Sequence, residues 1–169
     1  MHFVHLGIHT EFSITESIVR IPDLVKAAKA EGIPALAITD LSNLHAAVKF
    51  YGKCLDNGIK PIMGSEVRLN DGEHRVTLLA MSNVGWRNLT ELVSEGFIRG
   101  QQLDIPCVAK DWILEQNHDL IALLGMRSDV GKMLCTSNPQ KAEPLLEEWI
   151  AKFGNRVYLA LCRTERSGE

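Results

Sequence analysis

Residues 34–69 read PALAITDLSNLHAAVKFYGKCLDNGIKPIMGSEVRL, and the change of rhythm within them decides the fold. PALAIT (34–39) is short and almost wholly apolar, as expected of a strand covered on both faces. The apolar period then lengthens. Leu44, Ala47, Val48, Tyr51 and Leu55 fall on one helical stripe, which predicts a helix ending near Gly58. KPIMGSEVRL (60–69) returns to a strand pattern. Strand, helix and strand in succession form the building unit of a parallel sheet.

The same alternation extends in both directions. Upstream, residues 3–8 predict a strand, and Ile21, Leu24, Val25 and Ala28 a helix with Pro22 in its first turn and Gly32 at its C-terminal cap. Downstream, NDG at 70–72 predicts a hairpin turn into RVTLLAM (75–81). Leu89, Leu92, Val93 and Phe97 mark a further helix, followed by a loop over 99–107 and a short helix around Trp112. LIALL (120–124) predicts a buried strand. Leu145, Trp149, Ile150 and Phe153 define a late helix, and RVYLALC (156–162) is the last strand. The order βαβαββα, then α, β, helices and β, predicts an α/β fold with a mainly parallel sheet, open or barrel. Because the sequence stops just after a strand with no closing helix, the expectation is a single domain over 1–169 whose barrel is incomplete at its C-terminal end.

Composition narrows the function. The 169 residues are 46% hydrophobic and carry a net charge of −3, which suits one globular domain with a real core. Lys and Arg are scattered among acids, so no broad footprint for nucleic acid is visible, which counts against independent DNA binding. Cys54, Cys107, Cys135 and Cys162 form no C-x-x-C pair and predict ordinary core cysteines in a reducing cytosol. With no signal-peptide pattern and no apolar run of spanning length, a soluble cytoplasmic protein without membrane association is expected.

In α/β folds functional side chains gather at the carboxyl ends of the strands. There the first strand delivers His9 and then Glu16, the second Asp40, the third Glu66, and the fourth begins with His74 and Arg75. Oxygen and imidazole donors converging on one rim would suit zinc, manganese or iron. Each residue also has a plainer role. Asp40, followed by LSN, fits a helix cap or turn; Glu66 beside a hairpin fits a solvated position; His5 fits a structural histidine. His45 and His118 suit surface or cap positions, and Met81, Met126 and Met133 suit the core.

The blocks HLGIHTEFSITES, ALAITDLSNLHAAVKFY, GIKPIMGSEV, LLAMSNVGWRNLTEL, KDWI and YLALCRT, in this order, resemble the N-terminal PHP (polymerase and histidinol phosphatase) domain of bacterial DNA polymerase III alpha subunits. The resemblance implies a distorted βα barrel. Its metal-binding members look like H-L-H-x-H in the first block and T-D-H in the second. Here Gly7 stands at the middle histidine and Leu41 follows Asp40. The family glutamate matches Glu66, the strand histidine falls on Arg75, and the cysteine after the next strand falls where Leu124, Gly125 and Met126 stand. A final Asp-x-His pair would lie beyond residue 169.

The resemblance thus implies a vestigial cleft of His9, Glu16, Asp40 and Glu66, with Gly7, Leu41 and Arg75 at lost ligand positions. It implies no catalytic residue, metal or other cofactor in this region, with Arg75 replacing the lost ion. His74 is one position off, and such a shift turns a strand side chain to the other face. The implied function is a non-catalytic module in chromosomal DNA replication. It would support a DNA-directed DNA polymerase (a nucleotidyltransferase) and dock the proofreading exonuclease subunit among the other holoenzyme subunits. DNA would be reached through the parent polymerase, whose active-site acids would lie past residue 169. Loops near 68–75 and 98–106 are candidate docking surfaces. The rival expectations are a metal-dependent phosphoesterase or 3′–5′ exonuclease, and behind it a free-standing histidinol-phosphatase-like enzyme.

Overall fold

Pro22 presets a helical φ in the first turn of α1 (Ile21–Ala30), which buries Ile21, Val25 and Ala28. Gly32, at φ +65°, turns the chain toward β1 (Ala35–Ile38). α2 (Ala47–Asp56) then returns it to β2 (Lys60–Arg68), which pairs parallel to β1 from Ala35↔Lys60 to Ile38↔Met63. The strand–helix–strand unit therefore forms as predicted. The structure is a computed structural model that describes residues 3–70, 72–135 and 139–161.

The predicted hairpin follows. β3 (Arg75–Ala80) pairs antiparallel to β2, with Gly72 at φ +73° in the turn; Asp71 lies outside the described residues. α3 (Asn83–Ile98) starts at Ser82, whose hydroxyl accepts from the N–H groups of Val84 and Gly85. A loop was expected next, but β4 (Gln101–Gln102) and β5 (Ile105–Pro106) form a small hairpin there. α4 (Lys110–Glu115), β6 (Leu120–Leu124), α5 (Asp129–Leu134), α6 (Ala142–Phe153) and β7 (Val157–Leu159) complete the described chain. The main sheet runs β1-β2-β3-β6-β7. Four of its five strands share one direction and β3 alone runs against them.

Two apolar clusters hold the layers together. Val67, Leu78, Leu89, Leu92, Ile113, Trp149 and Phe153 pack the helices onto one face of the sheet. Ile21, Leu36, Phe50 and Cys54 join α1 and α2 to β1. The opposite, concave face is a trough of about 1180 Å³, lined along its length by Ile62, Leu79, Ile121 and Leu123.

Several expectations need correction. Residues 3–8 form no regular strand; they run beside β1 through bonds from Ala37 N to the His5 carbonyl (3.0 Å) and Thr39 N to the Ile8 carbonyl (2.8 Å). α2 buries Ala47, Phe50 and Cys54, whereas Val48, Tyr51 and Leu55 are exposed, so the core takes the opposite edge of the apolar stripe. Phe97 and Ile150 are likewise about half exposed, as are Met81 and Met126; Met133 packs against the core. Cys135 is exposed, unlike buried Cys54 and Cys107, and Cys162 lies outside the described residues.

β7 stands at one end of the strand order and, among the described residues, pairs with β6 alone. An uncovered strand edge is a template for another chain. Sedimentation velocity on the isolated chain is expected to show dimers or larger species that grow with concentration; a monomer at every concentration would contradict this.

Candidate functional site

The reversed direction of β3 assembles the rim. Glu66 stands near the carboxyl end of β2, and the amino end of β3 brings Arg75 to the same edge. The register sets Glu66 opposite Thr77 and Arg68 opposite Arg75, so Glu66 and Arg75 are diagonal neighbours on the concave face. The segment after β6 arrives alongside, where Arg75 N donates to the Arg127 carbonyl at 2.8 Å. From the other side, the segment before α1 contributes His9, just ahead of a 3₁₀ turn, and Glu16, just after it. Its path is held by the Ser17 hydroxyl, which donates to the His9 carbonyl at 2.8 Å.

Arg75 forks between two acids. Its Nη1 donates to Glu66 Oε2 at 3.2 Å and its Nη2 to Glu16 Oε1 at 3.0 Å. Arg127 Nη1 reaches the other Glu16 oxygen at 3.3 Å, and His9 Nε2 lies 3.2 Å from Glu66 Oε2. Hydrogen bonding from Arg75, helped by its charge and by Arg127, outweighs the burial of Glu16 and brings its carboxyl from 4.5 down to about 2. Burial opposes ionisation of Glu66, yet the hydrogen bond and charge of His9, with Arg75 beside it, hold its carboxyl below the ordinary value. Burial opposes the charge of Arg75 too, and the two acids more than restore it. Burial and the facing Arg75 charge lower Arg68.

Asp40 is not part of this fork. It is buried, with Oδ1 accepting from Thr10 N and from the Ser13 hydroxyl, both at 2.6 Å, and Oδ2 from the Thr10 hydroxyl at 2.7 Å. The Ser13 hydroxyl also accepts from Leu41 N at 3.0 Å. Asp40 therefore fastens the 3₁₀ turn Glu11–Ser13 to the end of β1, close to the turn role its sequence context allowed. Leu41 forms a backbone bridge with Glu66 and brings no donor to the rim. Among the described residues no group of three His, Cys, Asp or Glu is arranged to hold a metal ion.

A family model described as PHP domain matches residues 5–164. The chain belongs to the PHP domain family. This PHP chain is 42% identical over 173 residues to DNA polymerase III subunit alpha of Pseudomonas fluorescens, covering 99% of the chain and 15% of that protein. It is 42% identical to the Pseudomonas aeruginosa subunit over 170 residues (97% and 14%), and 40% identical to that of Escherichia coli strain K12 over 173 residues (99% and 15%). The chain thus spans about 15% of the length of the curated relatives it matches. Two solved structures share the PHP chain's fold at 13% identity and a TM-score of 0.51. One is an amidohydrolase from Chromobacterium violaceum, matched over 90% of this chain and 74% of that one. The other is a two-domain protein from Bacteroides vulgatus containing a predicted PHP-like metal-dependent phosphoesterase, over 85% and 40%.

Of the residues expected at the PHP rim, the structure brings His9, Glu16, Glu66 and Arg75 together and sets Asp40 apart. His5 is exposed and edge-stacked on Phe3 at 4.7 Å, and His45 and His118 are exposed. Sequence reasoning missed Arg127, although a cation three residues past a buried strand was the available signal. It also missed Thr10 and Ser13 as the partners of Asp40. No helix among the described residues is long and apolar enough to cross a membrane.

Proposed function

We propose that the chain is a non-catalytic PHP module of a DNA polymerase III alpha subunit. Its roles are to support the polymerase chain and to dock the proofreading exonuclease subunit. The single observation that carries the reading is Arg75, whose guanidinium already lies between Glu16 and Glu66 where a cation would otherwise be needed. A cluster of metals that makes a bound water nucleophilic needs many donors converging on it. The residues present do not fit one. Gly7 has no side chain to offer, Leu41 no donor atom, and both oxygens of Asp40 are taken by Thr10 and Ser13. Similarity to polymerase subunits along nearly the whole chain supports placing the module in chromosomal replication, in the cytoplasm.

Two measurements test this. Elemental analysis of the purified chain is expected to find no stoichiometric zinc, manganese or iron, and a chelator to leave its thermal midpoint unchanged. Two or more tightly held transition metals per chain would overturn the non-catalytic reading in favour of a phosphoesterase or 3′–5′ exonuclease. Deleting this region from the full alpha subunit is expected to abolish binding of the exonuclease subunit. Unchanged affinity, with the remainder folded, would leave only the supporting role.

A further inference from the structure

α2 leaves much of its apolar stripe outside the core. Val48, Tyr51 and Leu55 line the outer edge of α2 and are 88%, 51% and 55% exposed, although their spacing is that of a buried face. Val48 and Tyr51 form one wall of a groove of about 700 Å³ between α2 and the start of α3. Met63 lies in its floor, with Met81, itself 55% exposed, and Trp86 on the far wall. Among the twelve residues that line the groove Lys60 is the single charge, and no carboxylate is present. Lys60 also begins β2, whereas Glu66 stands near its other end, about 20 Å along the strand. The groove thus adjoins the far end of the trough, sharing Ile62, Ala80 and Met81 with it, and lies a strand's length from the Arg75 rim.

We propose that this groove seats a segment of a partner protein carrying two neighbouring apolar side chains and an acidic one. The apolar pair would lie over Val48, Tyr51 and Met81, and the acid would meet Lys60. Apolar surface gathered in a concave groove gains most from being covered. A lone ammonium in a wall without carboxylates favours an acidic occupant over a basic or neutral one. The proposal rests on the docking role proposed above. It moves the contact from the loops near 68–75 and 98–106 to the α2–α3 groove.

The test titrates the exonuclease subunit against the full alpha subunit, unsubstituted and carrying Val48→Asp with Tyr51→Asp, Lys60→Glu, or Ile18→Asp. The altered side chains are exposed, and circular dichroism of each variant checks the fold. The expected result is a loss of affinity of about tenfold or more for the groove variants, none for Ile18→Asp, and weaker salt dependence for Lys60→Glu. Binding by the unsubstituted subunit with groove variants within twofold of it overturns the groove and leaves the docking role standing. No binding by the unsubstituted subunit removes the docking role and this inference together. If the groove variants instead disperse a self-associated alpha subunit, the occupant is a second copy, and the proposal is likewise overturned.

Discussion

Arg75→Ala is expected to lower the unfolding free energy by about 3 kcal/mol, the low end for breaking a buried ion pair. The side chain of Arg75 is 10% exposed and those of Glu66 and Glu16 are 16% and 23% exposed, so truncation leaves two acids facing each other with limited access to water. Arg75→Lys should recover only part of the loss, because a single ammonium cannot fork to both. Denaturant unfolding measures both variants, and a change under about 1 kcal/mol for Arg75→Ala would show that the fork does not hold the rim.

The same variant should move the acid limb of stability. Glu16 is depressed in the folded chain to about 2 from 4.5, so its stabilising contribution is complete above about pH 4.5 and is lost as pH falls through about 2. Removing Arg75 takes away the largest cause of that depression. The Glu16 carboxyl is then expected to titrate closer to 4.5, and acid unfolding to begin at higher pH. Carbon-detected NMR titration of the carboxyl follows this directly; an unmoved Glu16 midpoint would assign its depression to something other than Arg75.

Asp40→Ala should be comparably severe for a different reason. It strands the Thr10 amide and the hydroxyls of Thr10 and Ser13 in a buried site, at about 1–3 kcal/mol for each group that finds no new partner. The expected total is about 3 kcal/mol or more, with or without chelator. Unfolding curves for Asp40→Ala and Asp40→Asn check it. A loss below about 1 kcal/mol, or one seen only when metal is supplied, would return Asp40 to the role of a ligand.

How far the sequence could be read depends on what each signal encodes. The hairpin was legible because NDG is a local turn chemistry that needs no knowledge of the rest of the chain, and β2 and β3 pair across it. α2 was legible as a helix but not in its orientation. Periodicity marks an apolar arc, and only the neighbours α1 and β2 decide that Phe50 rather than Val48 lies inside. The stretch 3–8 is apolar enough for a strand, yet it makes only scattered bonds to β1. At the site, the rim position of Glu66 and Arg75 followed from the strand boundaries. The separation of Asp40 did not, because it rests on hydroxyls of Thr10 and Ser13 nearly thirty residues earlier. No spacing rule joins such distant partners.

If, as proposed, Arg75 stands in for a lost ion, its double contact would also impose an order on the evolution of this PHP rim. Gly7 has no atom within 4 Å of where a Cβ would stand, so the side chain of a returning histidine can begin there without a clash at its Cβ. While the guanidinium spans Glu16 and Glu66, however, the new imidazole has no ion to hold, and the substitution gains nothing. Losing the arginine first would leave Glu16 with only Arg127, itself 56% exposed, and Glu66 with only His9, before any donor has returned. On that reading each single reversal would be neutral or harmful and only the combined change would help, a case of sign epistasis. Under the proposed function, the arginine works as a ratchet. Once it had closed on the two glutamates, drift could keep erasing donor positions around it, and selection had no single step by which to bring them back.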